Sequence, residues 1–158
     1  MVRIGQNLEA KKMKNFTIQL QRKNSSLYQD LKKLCAEYLS KNNLKIELES
    51  EQLAKKYKVD KYTKRLLSYL FTGTRGGPNR LRVVLLLVEE PLNTHQLALK
   101  LGLDYKAIQH HIRTLERDNI ISRTGEKYGA VFRLSTFLEV NIEAFNEIIL
   151  KITESTSR

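Results

Sequence analysis

Leu103-Asp104-Tyr105-Lys106-Ala107-Ile108-Gln109-His110-His111-Ile112-Arg113-Thr114-Leu115-Glu116-Arg117-Asp118 is the stretch whose reading decides the fold. At about 100° per residue on a helix, Ile108, Ile112 and Leu115 fall on one side and Lys106, Gln109, His110, Arg113 and Arg117 on the other. The apolar side requires a core. The opposite side holds two arginines, a lysine, a glutamine and a histidine with no carboxylate among them, whereas an ordinary solvated face mixes acids with bases. His111 falls at the edge of the core side. Consecutive His110 and His111 point about 100° apart and cannot chelate one metal together, so no metal site is expected.

The flanking residues supply the punctuation. Asp104 can cap a helix over 104–118, and Gly102 permits a left-handed turn before it. Asn93-Thr94-His95-Gln96 has capping-box spacing and opens a helix to Leu101. Pro78 begins an earlier helix, which buries Leu81, Val84, Leu85 and Val88 and which Pro91 closes. Downstream, Ile120–Arg123 and Ala130–Leu134 read as strands around Gly125-Glu126-Lys127-Tyr128-Gly129. Thr136 caps a last helix to Ile152 with Leu138, Ile142, Phe145, Ile149 and Ile152 on one stripe. Helix, helix, tight turn, helix and hairpin is the winged helix-turn-helix order. The expected fold class is therefore mainly α with a small β hairpin. Leu97, Ala98 and Leu101 would pack beneath Ile108 and Ile112. The far side of the third helix is then free to enter a major groove about 12 Å wide.

Composition narrows the function classes. The chain has 158 residues, 41% of them hydrophobic, enough for a packed core. Its longest apolar run, Val83–Val88, is far short of the roughly 20 residues that cross a bilayer, and Met1–Lys14 lacks a secretory apolar stretch. A cytoplasmic location is expected. Cys35 is the single cysteine, which removes internal disulfides and thiolate zinc sites and reads as a small buried hydrophobe on a helix. No triad, paired carboxylates or nucleotide loop stands out, so no catalytic residue and no cofactor is expected. The net charge of +11 points to a polyanionic partner. It is unevenly spread: residues 1–72 hold 16 Lys/Arg against 7 Asp/Glu, and residues 73–158 hold 12 against 10. Charge thus points to the first half and pattern to the second.

The first half divides into a basic segment over 1–25, with a short strand at Phe16–Leu20, and a helical region over 26–71. In the latter, Ser25 or Ser26 caps a helix over 27–41, Leu44–Leu48 alternates like a strand, and Ser50 and Asp60 open two further helices. Residues 50–60 resemble 94–104: Ser50 matches Thr94, Gln52 Gln96, Leu53 Leu97, Ala54 Ala98, Lys56 Lys100, Val59 Leu103 and Asp60 Asp104. A second, degenerate helix-turn-helix would expose Lys61, Lys64 and Arg65 as a second DNA-contact face. The rival is a basic helical extension for dimerisation or a partner. Thr72–Gly77, the only glycine-rich stretch, reads as a linker before the winged domain at 78–135, with 136–158 as a C-terminal dimerisation helix.

Gly73–Arg80, Asn93–Leu103, Leu103–His111 and the wing Lys127-Tyr128-Gly129-Ala130-Val131-Phe132 together resemble archaeal winged-helix regulators of the arsenic-repressor (ArsR) type, over about residues 72–152. The resemblance implies a transcription regulator, a homodimer on a two-fold symmetric operator. The cysteine pair of metal-responsive members is missing, so metal sensing does not carry over. The expected partner is double-stranded DNA, with Arg75, Tyr105, Lys106, Gln109, His110, Arg113 and Arg117 on or beside the reading helix. Arg123, Lys127 and Arg133 would meet the backbone or minor groove from the wing. Leu138, Ile142, Phe145, Ile149 and Ile152 would form the dimer seam. The alternatives are a protein-interaction module on the transcription machinery and a non-specific chromatin-type DNA-binding protein.

Overall fold

Residues 77–89 are covered on nearly every side, because Val83–Val88 leaves the helix no polar stripe to turn toward water. In the computed structural model, residues 25–42 and 60–155 are described. They form α1 (Ser25–Lys41), α2 (Lys61–Thr72), α3 (Gly77–Glu89), β1 (Leu92–Asn93), α4 (Thr94–Leu101), α5 (Tyr105–Arg117), β2 (Ile121–Thr124), β3 (Val131–Leu134), α6 (Thr136–Val140) and α7 (Ile142–Ser155). A 3-10 turn, Lys127–Gly129, lies between β2 and β3. The architecture is mainly helical, a winged helix-turn-helix with a small antiparallel sheet. The strand expected at Phe16–Leu20, the one at Leu44–Leu48 and the helix opening at Ser50 lie outside the described residues, as does most of the segment compared with 94–104.

The helix α3 packs against α1, α2, α4, α5 and β3. Asn93 caps α4 through the full capping box: Gln96 N donates to Asn93 Oδ1 at 2.8 Å and Asn93 N to Gln96 Oε1 at 2.9 Å. Gly102 ends α4 at φ +62°, where a side chain would be strained. Asp104 stands at the N-cap of α5 without a side-chain bond to the helix, so its expected capping role is not taken up.

The sheet holds a strand that alternation could not show. Two-residue β1 pairs with β3, Leu92 opposite Phe132, giving the order β1-β3-β2. In the hairpin Arg123 lies opposite Phe132.

Two expectations need correction. Thr72–Gly77 is not a linker: Gly77 already belongs to α3, and a β-carbon there would lie 2.4 Å from the Phe71 carbonyl oxygen. The glycine lets α2 close directly onto α3, and one continuous core runs from Leu31 to Ile152. The stripe expected to be a dimer seam is likewise consumed within the chain. Asn141 interrupts the helix, its side-chain Nδ2 donating to Phe137 O at 2.9 Å. Leu138, Phe145, Ile149 and Ile152 are buried and Ile142 half-buried, and α7 packs on α1 and α2. The Phe145 ring stands edge-on to Tyr38 of α1 and Phe71 of α2, both at 5.7 Å. Above it the Tyr38 hydroxyl donates to Asn146 Oδ1. Of this stripe only half-buried Ile142 keeps any surface toward solvent. Cys35 is fully buried in the same layer, and burial pushes its thiol up to about 12, which keeps it protonated and inert.

Ile149→Glu should therefore destabilise the folded chain by more than about 3 kcal/mol, the cost of an unpaired buried charge, instead of yielding a stable, smaller assembly. Denaturant unfolding alongside light scattering checks this; a folded variant of reduced subunit count would restore the seam.

Candidate nucleic-acid interface

Ile108, Ile112 and Leu115 are buried, and they seat α5 on α3 and α4 as its periodicity requires. A guanidinium fixes the approach: Arg82 of α3 donates from Nη2 to the carbonyl of Leu101 at 3.1 Å. Leu101 ends α4, so this bond occupies one of the carbonyls that a helix terminus leaves unpaired, just before the turn that aims α5.

The outward face of α5 is as the spacing implied. Tyr105, Lys106, His110, Arg113 and Arg117 are exposed and Gln109 is half-buried. Among the described residues, Lys106 and Arg113 have no carboxylate at ion-pair distance. Arg117 differs, because its Nη2 lies 3.2 Å from Asp118 Oδ2. On the wing, Lys127 and Arg133 are exposed. Arg123, expected to meet the backbone or minor groove, is held by Glu116 of α5 in a two-pronged pair at 3.0 and 3.1 Å. Its guanidinium also stands 5.3 Å over the Phe132 ring. The acids at 116 and 118 thus neutralise two of the expected contacts from the rim of the face. That could not be read from the sequence, because Glu116 meets Arg123 only when the hairpin folds back on α5.

Between α5 and the wing lies a groove of about 510 Å³. Tyr105, Gln109 and Arg113 line it from the helix, and Arg123, Lys127 and Tyr128 from the wing. Among the described residues no carboxylate lines it. Tyr128, not anticipated as a contact residue, is 94% exposed. Arg75 is exposed in the corner between α2 and α3, next to Gly76, whose missing β-carbon would stand 3.2 Å from the His111 ring. On α2, Lys61 and Arg65 are exposed, whereas Lys64 pairs with Glu147 of α7 at 3.2 Å.

His111 is buried as expected for the core edge. Among the described residues its Nδ1 has no hydrogen-bond partner. A neutral ring with its proton on Nε2 fits that position, since a bare Nδ1 has no proton to place. Burial, then the Arg80 guanidinium, then His110 push its pKa down to about 4.

Residues 77–123 match the family model described as bacterial regulatory protein, arsR family. That match runs from the start of α3 to Arg123 in β2 and leaves most of the chain outside it. Among solved structures, reduced HlyU from Vibrio cholerae is 20% identical, with 56% of this chain and 86% of that one covered at a TM-score of 0.44. A second structure of HlyU from the same organism is 22% identical, with 57% and 97% covered and a TM-score of 0.44. A MarR family protein from Bacillus stearothermophilus is 16% identical, with 84% and 78% covered and a TM-score of 0.35. No curated protein matches the chain.

Because the folded state holds His111 neutral while the unfolded state protonates near 6.5, the unfolded chain binds more protons between those values. Stability is then fully present above about pH 6.5 and falls as pH drops toward 4, by about 3 kcal/mol. Urea unfolding at stepped pH should show this slope, and His111→Leu should flatten it; an unchanged slope would mean that other groups carry it.

Proposed function

We propose that the chain is a sequence-specific double-stranded DNA-binding regulator of transcription, with α5 in the major groove and the wing on the backbone or minor groove. The observation that carries this reading is the groove between α5 and the wing, lined by Arg113, Lys127 and the Glu116-paired Arg123, with no carboxylate among the described residues that line it. Its helix wall presents Gln109 and Arg113, which read adenine and guanine edges by paired hydrogen bonds. Lys106, His110 and Tyr105 flank them, and Lys127, Arg133 and Arg75 supply phosphate contacts. Arg117 and Arg123 contribute from the rim, each through the guanidinium edge its carboxylate leaves free. The arsR-family match over α3 to β2 supports the same reading. In this proposal residues 78–135 are the reading domain. Lys61 and Arg65 of α2 extend its positive surface, while Lys64 is committed to Glu147.

Footprinting on genomic fragments tests the reading and yields the operator. On that site, Arg113→Ala or Gln109→Ala should cost about 1–3 kcal/mol and relax discrimination at one base pair each. Wild-type affinity and selectivity in both variants would sink it.

A homodimer belongs to the proposal, because one chain presents a single α5 and symmetric half-sites about one helical turn apart need two. The C-terminal stripe is not its seam, so the pairing surface lies elsewhere. Light scattering at concentrations that protect the operator should give twice the chain mass. A monomer there would leave regulation to a single reader.

A further inference from the structure

Among the described residues, Tyr128 is the most exposed of the large apolar side chains. It sits in the 3-10 turn at the wing tip, and the turn is closed by its own backbone bonds. Gly129 N donates to Glu126 O at 3.2 Å, and Ala130 N to Lys127 O at 3.3 Å. Lys127 adopts φ +49° and Gly125 φ +90°. The left-handed region disfavours a lysine, and residues kept there concentrate at binding sites. This turn holds a tyrosine in water, although its ring would ordinarily be buried against protein.

The ring lines the groove from the wing side, across from Gln109 and Arg113. Of the other apolar groups lining it, Ile112 and Phe132 are each only 3% exposed, and Tyr105 is 40% exposed. Cationic donors already crowd the groove, so what it lacks is apolar surface for the uncharged part of a nucleotide strand. Of the apolar residues lining it, Tyr128 is the most exposed.

We propose that Tyr128 grips DNA through its ring, which packs on the deoxyribose of the strand whose phosphates meet Lys127. This inference rests on the DNA-binding reading above and adds a prediction that reading does not make. Cations bind phosphate by releasing counterions, so their contribution falls with salt. A neutral ring releases none. Its contribution should be the same at every ionic strength and on every duplex.

The test uses the full chain and fluorescence anisotropy on the footprinted duplex and an unrelated one, over a salt series. Tyr128→Ala should weaken binding roughly tenfold at each salt concentration, on both duplexes, with an unchanged slope of log K against log salt. Tyr128→Phe should stay within about twofold of the unsubstituted chain, because the ring and not the hydroxyl makes the contact. Lys127→Ala, as the contrasting variant, should flatten the slope by about one unit. Unaltered binding by Tyr128→Ala would overturn the inference while leaving DNA binding intact. A Tyr128→Phe loss equal to that of alanine would also overturn it, since a phosphate-bonded hydroxyl would then be responsible. Failure of the unsubstituted chain to bind either duplex would overturn the DNA-binding reading itself, and this one with it.

Discussion

Arg80 and Arg82 bring two guanidinium groups into a helix that water scarcely reaches: they are 5% and 6% exposed. Burial lowers the pKa of each, and an unpaired charge there would be strongly destabilising. Neighbouring groups supply acceptors for both, although among the described residues Arg82 Nε has no hydrogen-bond partner. Arg80 Nε donates to the Leu70 carbonyl in α2 at 3.0 Å, and its Nη2 to Thr74 Oγ1. Arg82 reaches Leu101 O at the end of α4, Asn79 Oδ1 at 3.0 Å and Asp30 of α1 at 3.5 Å. These bonds tie α3 to carbonyls in the last turns of two helices, where the macrodipole also favours positive charge. Their positions set where α2 stops and where the α4–α5 turn begins. The direction of α5 follows from that.

The same constraint joins the two ends of the chain to the reading domain. Asp30 pairs with Arg82, so α1 touches the group that holds the α4–α5 turn. The helix α7 lies over α1 and α2, with Phe145 between Tyr38 and Phe71. A winged domain that looks self-contained in sequence is thus one side of a larger core.

On the outer surface, the distribution of acids matters more than the total charge. Glu116 and Asp118 hold Arg123 and Arg117 at the rim, and Glu147 holds Lys64. Lys106, Arg113, Lys127 and Arg133 are left toward solvent. The Glu116–Arg123 pair also spans α5 and β2, with Phe132 beside the guanidinium, so the helix and wing walls of the groove are set at a common spacing. Glu116 opposes a polyanion at close range and in return fixes the geometry of the wing.

What the sequence determined by itself was local. The Asn93–Gln96 box, the glycine after Leu101, the prolines bracketing α3 and the apolar period of α5 each depend on residues within a turn or two. Periodicity and capping chemistry therefore reported them correctly, along with the basic outward face of α5. Tertiary structure decided everything that depends on distant partners. The Leu138–Ile152 stripe announced that it needed cover, but an apolar face carries no label saying whether its own chain or a second copy supplies it. Only the packing of α1 and α2 settled that. Gly73–Gly77 has a linker's composition, yet Gly77 is required because α2 and α3 approach backbone to backbone. Two-residue β1 is too short for any alternation to register and exists only because β3 offers it an edge. The partner of Arg123 is fixed by how the hairpin folds over α5. Periodicity reports which side of an element avoids water; what meets that side is set by contacts between residues far apart in the chain.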